Sequence, residues 1–256
     1  MLTVLLPCYN EEQVLGKVIG DIHATLKGSD YAYEILIVDD GSTDQSASIA
    51  EHLGCRVIRH GNRRGTGASC KTGIRDAKGD IIVMLDADGT YMASDILKLL
   101  KFFPDFDQVN GARTSEQGTL MYLRRPVKWL LSQWAGYLVN QPIPDINTGL
   151  KAFKRNKIMD YLWAIPDGFS CVSSLTLIFF FTHCSVKYIP TPYFKRIGFS
   201  KFHPIIDTFK AIKTILRLAI YFRPLRVFLP PVFLLIVLWI LKLAWLQISK
   251  QPLLFS

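Results

Sequence analysis

Three short apolar runs, each breaking off at a cluster of carboxylates, leave this chain few ways to fold. Thr3 to Leu6 runs into Pro7-Cys8-Tyr9-Asn10-Glu11-Glu12, Ile35 to Val38 into Asp39-Asp40-Gly41-Ser42-Thr43-Asp44, and Ile81 to Leu85 into Asp86-Ala87-Asp88-Gly89-Thr90. Between the first two, the apolar spacing turns helical at Val14, Leu15, Val18, Ile19, Ile22 and Leu26. Apolar strands alternating with amphipathic helices specify an α/β domain with a mostly parallel sheet flanked by helices. In such a sheet the polar clusters converge at the carboxyl edge, where ligands bind. Arg56 to Arg59 reads as a short third strand, and the Gly-rich turn from Gly61 to Gly67 enters another helix. Ser42 and Gln45 are spaced as a capping box, with Gly54 placed to close the helix they start.

From about residue 105 to 200 the pattern loosens, with helical stretches at 120–139 and 168–182 and a strand-like run at 186–190. The expected organisation is a catalytic domain over 1–203, its donor half about 1–104 and its acceptor half about 105–203. A basic amphipathic helix follows at 204–226, then a membrane segment at 227–248 and a tail at 249–256. The net charge of +9 is concentrated here: residues 195–226 hold eight Lys or Arg against the single acid Asp207. Because that stretch leads into an apolar run, a membrane is the expected partner and nucleic acid is not. Ile205, Ile206, Phe209, Ile212, Leu216 and Ile220 oppose Lys210, Lys213 and Arg217, the pattern of a helix lying in the headgroup layer or of a surface helix packed on the domain. The apolar run matches the roughly 20 residues needed to cross a bilayer, while Pro230, Pro231 and Lys242 leave a re-entrant path open. Thr3 to Leu6 is too short for a signal peptide and lacks a basic leader, so the catalytic domain is expected in the cytoplasm. Five cysteines without paired spacing are expected to be reduced and mostly buried.

Asp86 and Asp88, two residues apart just past a buried strand, are placed to share one hard cation, Mg2+ or Mn2+. Such an ion bridges to phosphates and neutralises a diphosphate leaving group; solvated loop aspartates are the bland reading of the same pair. Asp39 and Asp40 are placed to accept hydrogen bonds from a nucleobase or ribose, with Tyr9 to stack on the base, or else to cap a helix with Ser42. Gly65-Thr66-Gly67-Ala68-Ser69-Cys70-Lys71-Thr72 comes within one residue of a triphosphatase phosphate loop, with Cys70 where the second glycine belongs.

Together, Pro7-Cys8-Tyr9-Asn10-Glu11, Asp39-Asp40-Gly41-Ser42-Thr43-Asp44, Arg64-Gly65-Thr66-Gly67 with Gly73, and Asp86-Ala87-Asp88 resemble family 2 glycosyltransferases in order and spacing. Asp145-Ile146-Asn147-Thr148-Gly149-Leu150-Lys151 and Arg196-Ile197-Gly198-Phe199-Ser200-Lys201 resemble later motifs of dolichol-phosphate-mannose synthases and bacterial polyprenyl-phosphate glycosyltransferases. The resemblance implies a GT-A-type domain, a nucleotide-sugar donor, a divalent ion, inversion at the anomeric carbon, and a polyprenyl or dolichyl phosphate acceptor. It places Pro7, Tyr9, Asn10, Glu11, Asp39, Asp40, Ser42, Arg64, Gly65 and Ala87 around the donor and Asp86 and Asp88 on the metal. It places Arg113, Arg124, Thr148, Lys151, Arg196, Ser200 and Lys201 on phosphate groups. A homo-oligomer or a partner membrane protein is compatible with it.

The chain departs from that pattern at Thr90, where many relatives have Gln, at Lys151, where Arg is usual, and at Gly168 to Ser174, which lacks an acid often found there. The missing acid points to the acceptor. Attack by a hydroxyl needs a carboxylate to take its proton. A phosphate monoester, with a second pKa of about 6, is already ionised. Asp145 is the leftover base if the acceptor is a lipid hydroxyl; a non-catalytic nucleotide-sugar or lipid scaffold is the remaining alternative.

Overall fold

The computed structural model describes residues 1–114, 121–196 and 204–249. Seven strands form one sheet: β1 Leu2–Cys8, β2 Tyr33–Asp39, β3 Arg56–Arg59, β4 Ile81–Met84, β5 Gln108–Arg113, β6 Lys151–Lys154 and β7 Val186–Thr191, in the order β3-β2-β1-β4-β6-β5-β7. All neighbouring pairs are parallel except those of β6, which runs antiparallel to β4 and β5.

The continuous apolar runs fold as strands because alternate side chains enter two different cores. Leu5, Leu36, Val38, Ile82 and Met84 point to one core, against α3 (Thr66–Asp76), α5 (Met121–Val139), α6 (Cys171–Phe181) and α7 (Pro204–Phe222). Val4, Leu6, Ile35, Ile37, Val83 and Leu85 point to the other, against α1 (Glu12–Leu26) and α4 (Asp95–Leu100). The short α2 (Ser46–His52) completes the first half. Gly54, at φ +76, terminates it as expected. The capping box does not form: the helix starts at Ser46 with no side-chain cap, because Ser42 Oγ accepts the Asn10 amide instead.

α6 is buried along nearly its whole length, a core helix of the domain. α7 packs on the domain, as one of the two readings of its sequence expects. Ile215, Leu218 and Ala219 are buried in the domain core, while Ile206, Phe209 and Ile220 stay exposed on the opposite side. α8 (Pro224–Ser249) runs as one helix through Pro230 and Pro231. Its 23-residue stretch Pro224–Leu246 is long and apolar enough to cross a membrane, and none of it is buried against the domain. All five cysteines are free, and four are buried.

Candidate active site

The crevice opens where β1 parts from β4. Their ladder ends at Leu5 opposite Met84, with the Leu85 amide donating to the Leu5 carbonyl at 3.2 Å. Alternation turns the nitrogen of Pro7 toward the same side, and proline has no N–H to extend the ladder. β1 stays paired with β2 as far as Cys8 and Asp39. The chain after β4, Asp86 to Thr90, therefore leaves the ladder at the carboxyl edge, at the point where β1 has neighbours on both sides.

Asp88 is fixed there by Thr90, whose amide and Oγ1 donate to Oδ1 at 3.1 and 2.6 Å. On its other oxygen lies Arg196 Nη1 at 3.4 Å, and the same guanidinium binds Glu11 from the β1–α1 loop. Asp86 lies against Gly149, where a Cβ would come within 2.3 Å of its Oδ2, so only glycine leaves room for this carboxylate. Burial and the adjacent Asp88 charge raise the Asp86 carboxyl to about 7, against the lowering effect of Arg113 and Arg196. Two repelling carboxylates at a cleft are the donor set a divalent cation relieves. No cluster of three or more His, Cys, Asp or Glu occurs among the described residues. Water and phosphate oxygens would thus complete the shell, as is usual for Mg2+. The residues fit the ion.

On the donor side, several expected ligands are engaged with one another. Asn10, at φ 53, accepts the Thr43 amide at 2.8 Å, and its own amide donates to Ser42 Oγ at 2.9 Å. These bonds zip the β1–α1 loop to the β2–α2 loop. Asp39 accepts from the Ser42 amide. Asp40 accepts the amides of Arg64 and Gly65 at 2.9 and 2.8 Å and pairs with His60 Nδ1 at 2.9 Å; His60 Nε2 in turn meets Thr72 Oγ1 at 3.0 Å. Asp40 thus shapes the 61–65 loop, which carries Arg63 over the Tyr9 ring at 4.4 Å. The phosphate-loop reading fails: Asp167's carbonyl takes the amides of Gly67 and Ala68 at 2.7 and 3.2 Å, and its carboxylate holds Lys71 at 2.5 Å.

On the acceptor side, Arg113 grips Asp145 through two parallel bonds, Nε at 2.7 Å and Nη2 at 2.8 Å. Burial alone would raise the Asp145 carboxyl, but the bonds and charge of Arg113 outweigh it and hold it below the usual carboxylate range. That makes Asp145 a poor base. Lys151, expected on phosphate, is fully buried beneath the cleft, its Nζ donating to Thr176 Oγ1 at 2.7 Å. Thr148 is also buried, its hydroxyl 3.2 Å from that of Tyr91, which accepts the Gly149 amide at 2.8 Å. The first turn of α6 carries no acid. The side chain of Arg124, and Ser200 and Lys201 altogether, lie outside the described residues. Sequence reasoning missed His60, Tyr91 and Gly149; the glycine stood inside a quoted motif, and the other two carried no spacing signal.

The family model for glycosyl transferase family 2 matches residues 3–162. The chain belongs to that family. As a glycosyltransferase it is 28% identical over 221 residues to a dolichyl-phosphate hexose transferase of Haloferax volcanii, covering 86% of this chain and 94% of that one. It is 28% identical over 164 residues to an undecaprenyl-phosphate 4-deoxy-4-formamido-L-arabinose transferase of Sodalis glossinidius, spanning 61% of this chain and half of that protein's length. Its fold is shared with glucosyl-3-phosphoglycerate synthase of Mycobacterium tuberculosis, solved with Mn2+, uridine diphosphate and glucosyl-3-phosphoglycerate. The TM-score is 0.67 at 21% identity, covering 86% of this chain and 80% of that one.

Proposed function

We propose that this glycosyltransferase passes a sugar from a UDP- or GDP-sugar to a polyprenyl or dolichyl phosphate at the cytoplasmic membrane face, with inversion. One observation carries the choice of acceptor: Asp145, the base a hydroxyl acceptor would require, is held by Arg113, and α6 brings no acid to replace it. A phosphate acceptor is already an anion and needs none. The names of the two relatives support the same reading.

In the reaction a phosphate oxygen of the lipid forms the new bond to the anomeric carbon. The bond from that carbon to the diphosphate breaks, and the nucleoside diphosphate leaves with the electron pair. A single displacement from the opposite face gives inversion. Asp86 and Asp88 would hold the divalent ion, which would supply charge neutralisation for the departing diphosphate. Arg196, standing between Glu11 and Asp88, brings fixed positive charge to the same place. Tyr9, Glu11 and Asp39 line the nucleoside side. Asp40, Asn10 and Ser42 hold the loops in position there, and Lys151 supports the cleft from below. α8 keeps the cleft near its lipid acceptor.

The test is transfer from radiolabelled UDP-glucose, UDP-N-acetylglucosamine and GDP-mannose into lipid, using membranes with and without added polyprenyl phosphate. Label that depends on the added lipid and is released by mild acid, as from a glycosyl phosphate, is expected. An acid-stable product would assign the activity to a lipid hydroxyl instead.

A further inference from the structure

Three exposed aromatic residues from three separate elements lie on segments tied to the start of α8 or to the residues just before it. Tyr137, near the end of α5, is 53% exposed, and its carbonyl accepts Arg226 Nη1 of the first turn of α8 at 2.8 Å. Tyr221, three residues before α8 begins, is 63% exposed and meets Trp163 edge-on at 4.8 Å between ring centroids. Trp163, 58% exposed, sits on the short 3-10 helix Met159–Ala164, and Arg217 of α7 clasps the end of that helix by donating to the Ala164 carbonyl at 2.8 Å. Along α5 the exposed stripe continues through Gln133 to Leu130 and Trp129, the last about 12 Å from Tyr137 at 1.5 Å per residue. Trp129 is 64% exposed.

Large aromatics left in water at one place mark a contact surface. Tyr and Trp, with apolar bodies and polar tips, suit the boundary between lipid and water. The bond from Arg226 to the Tyr137 carbonyl and the chain position of Tyr221, three residues before α8, put both residues beside the first turn of that helix.

We propose that Tyr137, Trp163 and Tyr221, extended by Trp129, form a collar that seats the catalytic domain itself in the headgroup layer of the bilayer. The collar acts beside α8 and the outward face of α7, and it rests on the reading of α8 as a membrane segment. It fixes the tilt of the domain, so that the cleft faces lipid phosphate in one orientation instead of swinging on a single anchor.

The experiment uses the full chain in nanodiscs of phosphatidylcholine and phosphatidylglycerol doped with polyprenyl phosphate, with the phospholipids brominated either near the headgroup or near the chain end. Trp163 is isolated by replacing Trp129, Trp134, Trp239 and Trp245 with Phe. The difference between the unsubstituted chain and Trp163→Phe reports the same residue with the other four in place. The expected result is a loss of Trp163 emission with shallow bromine that exceeds the loss with deep bromine. Emission equal to that in unbrominated lipid overturns the collar, and shielding of Trp163 from an aqueous quencher without any effect of bromine does so too, assigning the patch to a protein partner. Lipid-phosphate glycosylation by the same nanodiscs is measured in parallel. Quenching without transfer keeps the collar and sinks the activity, and transfer without quenching does the reverse.

Discussion

Asp88 accepts two bonds from Thr90, and an asparagine there keeps an acceptor for them while losing the charge. Asp88→Asn is therefore expected to lower turnover by about 100-fold or more, the scale on which a single transition-state electrostatic contact acts. The thermal midpoint should move by no more than about 3 °C, which for a chain of this size is on the order of 1 kcal/mol. Loss of activity together with loss of fold would assign Asp88 a structural role. Lys151 gives a second prediction. Burial holds its ammonium at about 7, below the ordinary 10.5, against the raising effect of Asp145. Between those values the unfolded chain binds more protons than the folded one, so stability rises with pH across the window and is lost as pH falls through it. Lys151→Met removes that slope. Urea midpoints should fall from pH 9.5 to pH 7 in the unsubstituted chain by more than in the variant, and parallel profiles would contradict the burial of the charge.

Among the elements, the first four strands and the helices between them were legible because apolar periodicity and carboxylate punctuation agreed along the chain. β5 and β6 were not legible. Gln108, Asn110 and Lys151 are fully buried on them, so strands beside the cleft carry polar side chains where a pattern reader looks for Val and Ile. The Ser42 capping box misled for a related reason: a side chain spaced to cap a helix binds a neighbouring loop instead. The aspartates and the proposed nucleotide-side loops are nameable from the sequence, since their chemistry is local. The pairing of Arg113 with Asp145 was not, because it joins residues that only the fold brings together. Glycines divide the same way. A Cβ on Gly67 would lie 1.9 Å from the Pro166 carbonyl oxygen, whereas one on Gly20 in α1 meets nothing within 4 Å. Gly20→Ala is expected to raise stability by about 0.5–1 kcal/mol through helix propensity. Gly67→Ala should lower it by about 2 kcal/mol or more as α3 and the 166–168 segment are forced apart. Denaturant midpoints of the two variants check both, and equal effects would refute the close packing.

The whole molecule is one mixed sheet between helices that carries a long apolar helix, with carboxylates and Arg196 together at the carboxyl edge of the sheet. Most of the described apolar surface of α8 lies outside the domain, a large exposed patch of the kind that marks a membrane or protein contact. Chain expressed in cells is expected to stay with the membrane pellet after an alkaline carbonate wash, and its release into the supernatant would reduce α8 to a surface contact. The proposed mechanism depends on a divalent cation held by Asp86 and Asp88, and Mn2+ binding tests that without any turnover. Electron paramagnetic resonance of Mn2+ titrated with the full chain and a nucleoside diphosphate should show the free-ion signal disappearing for the unsubstituted protein and persisting for Asp88→Asn. An equal loss of signal with both proteins would place the ion elsewhere and contradict the account.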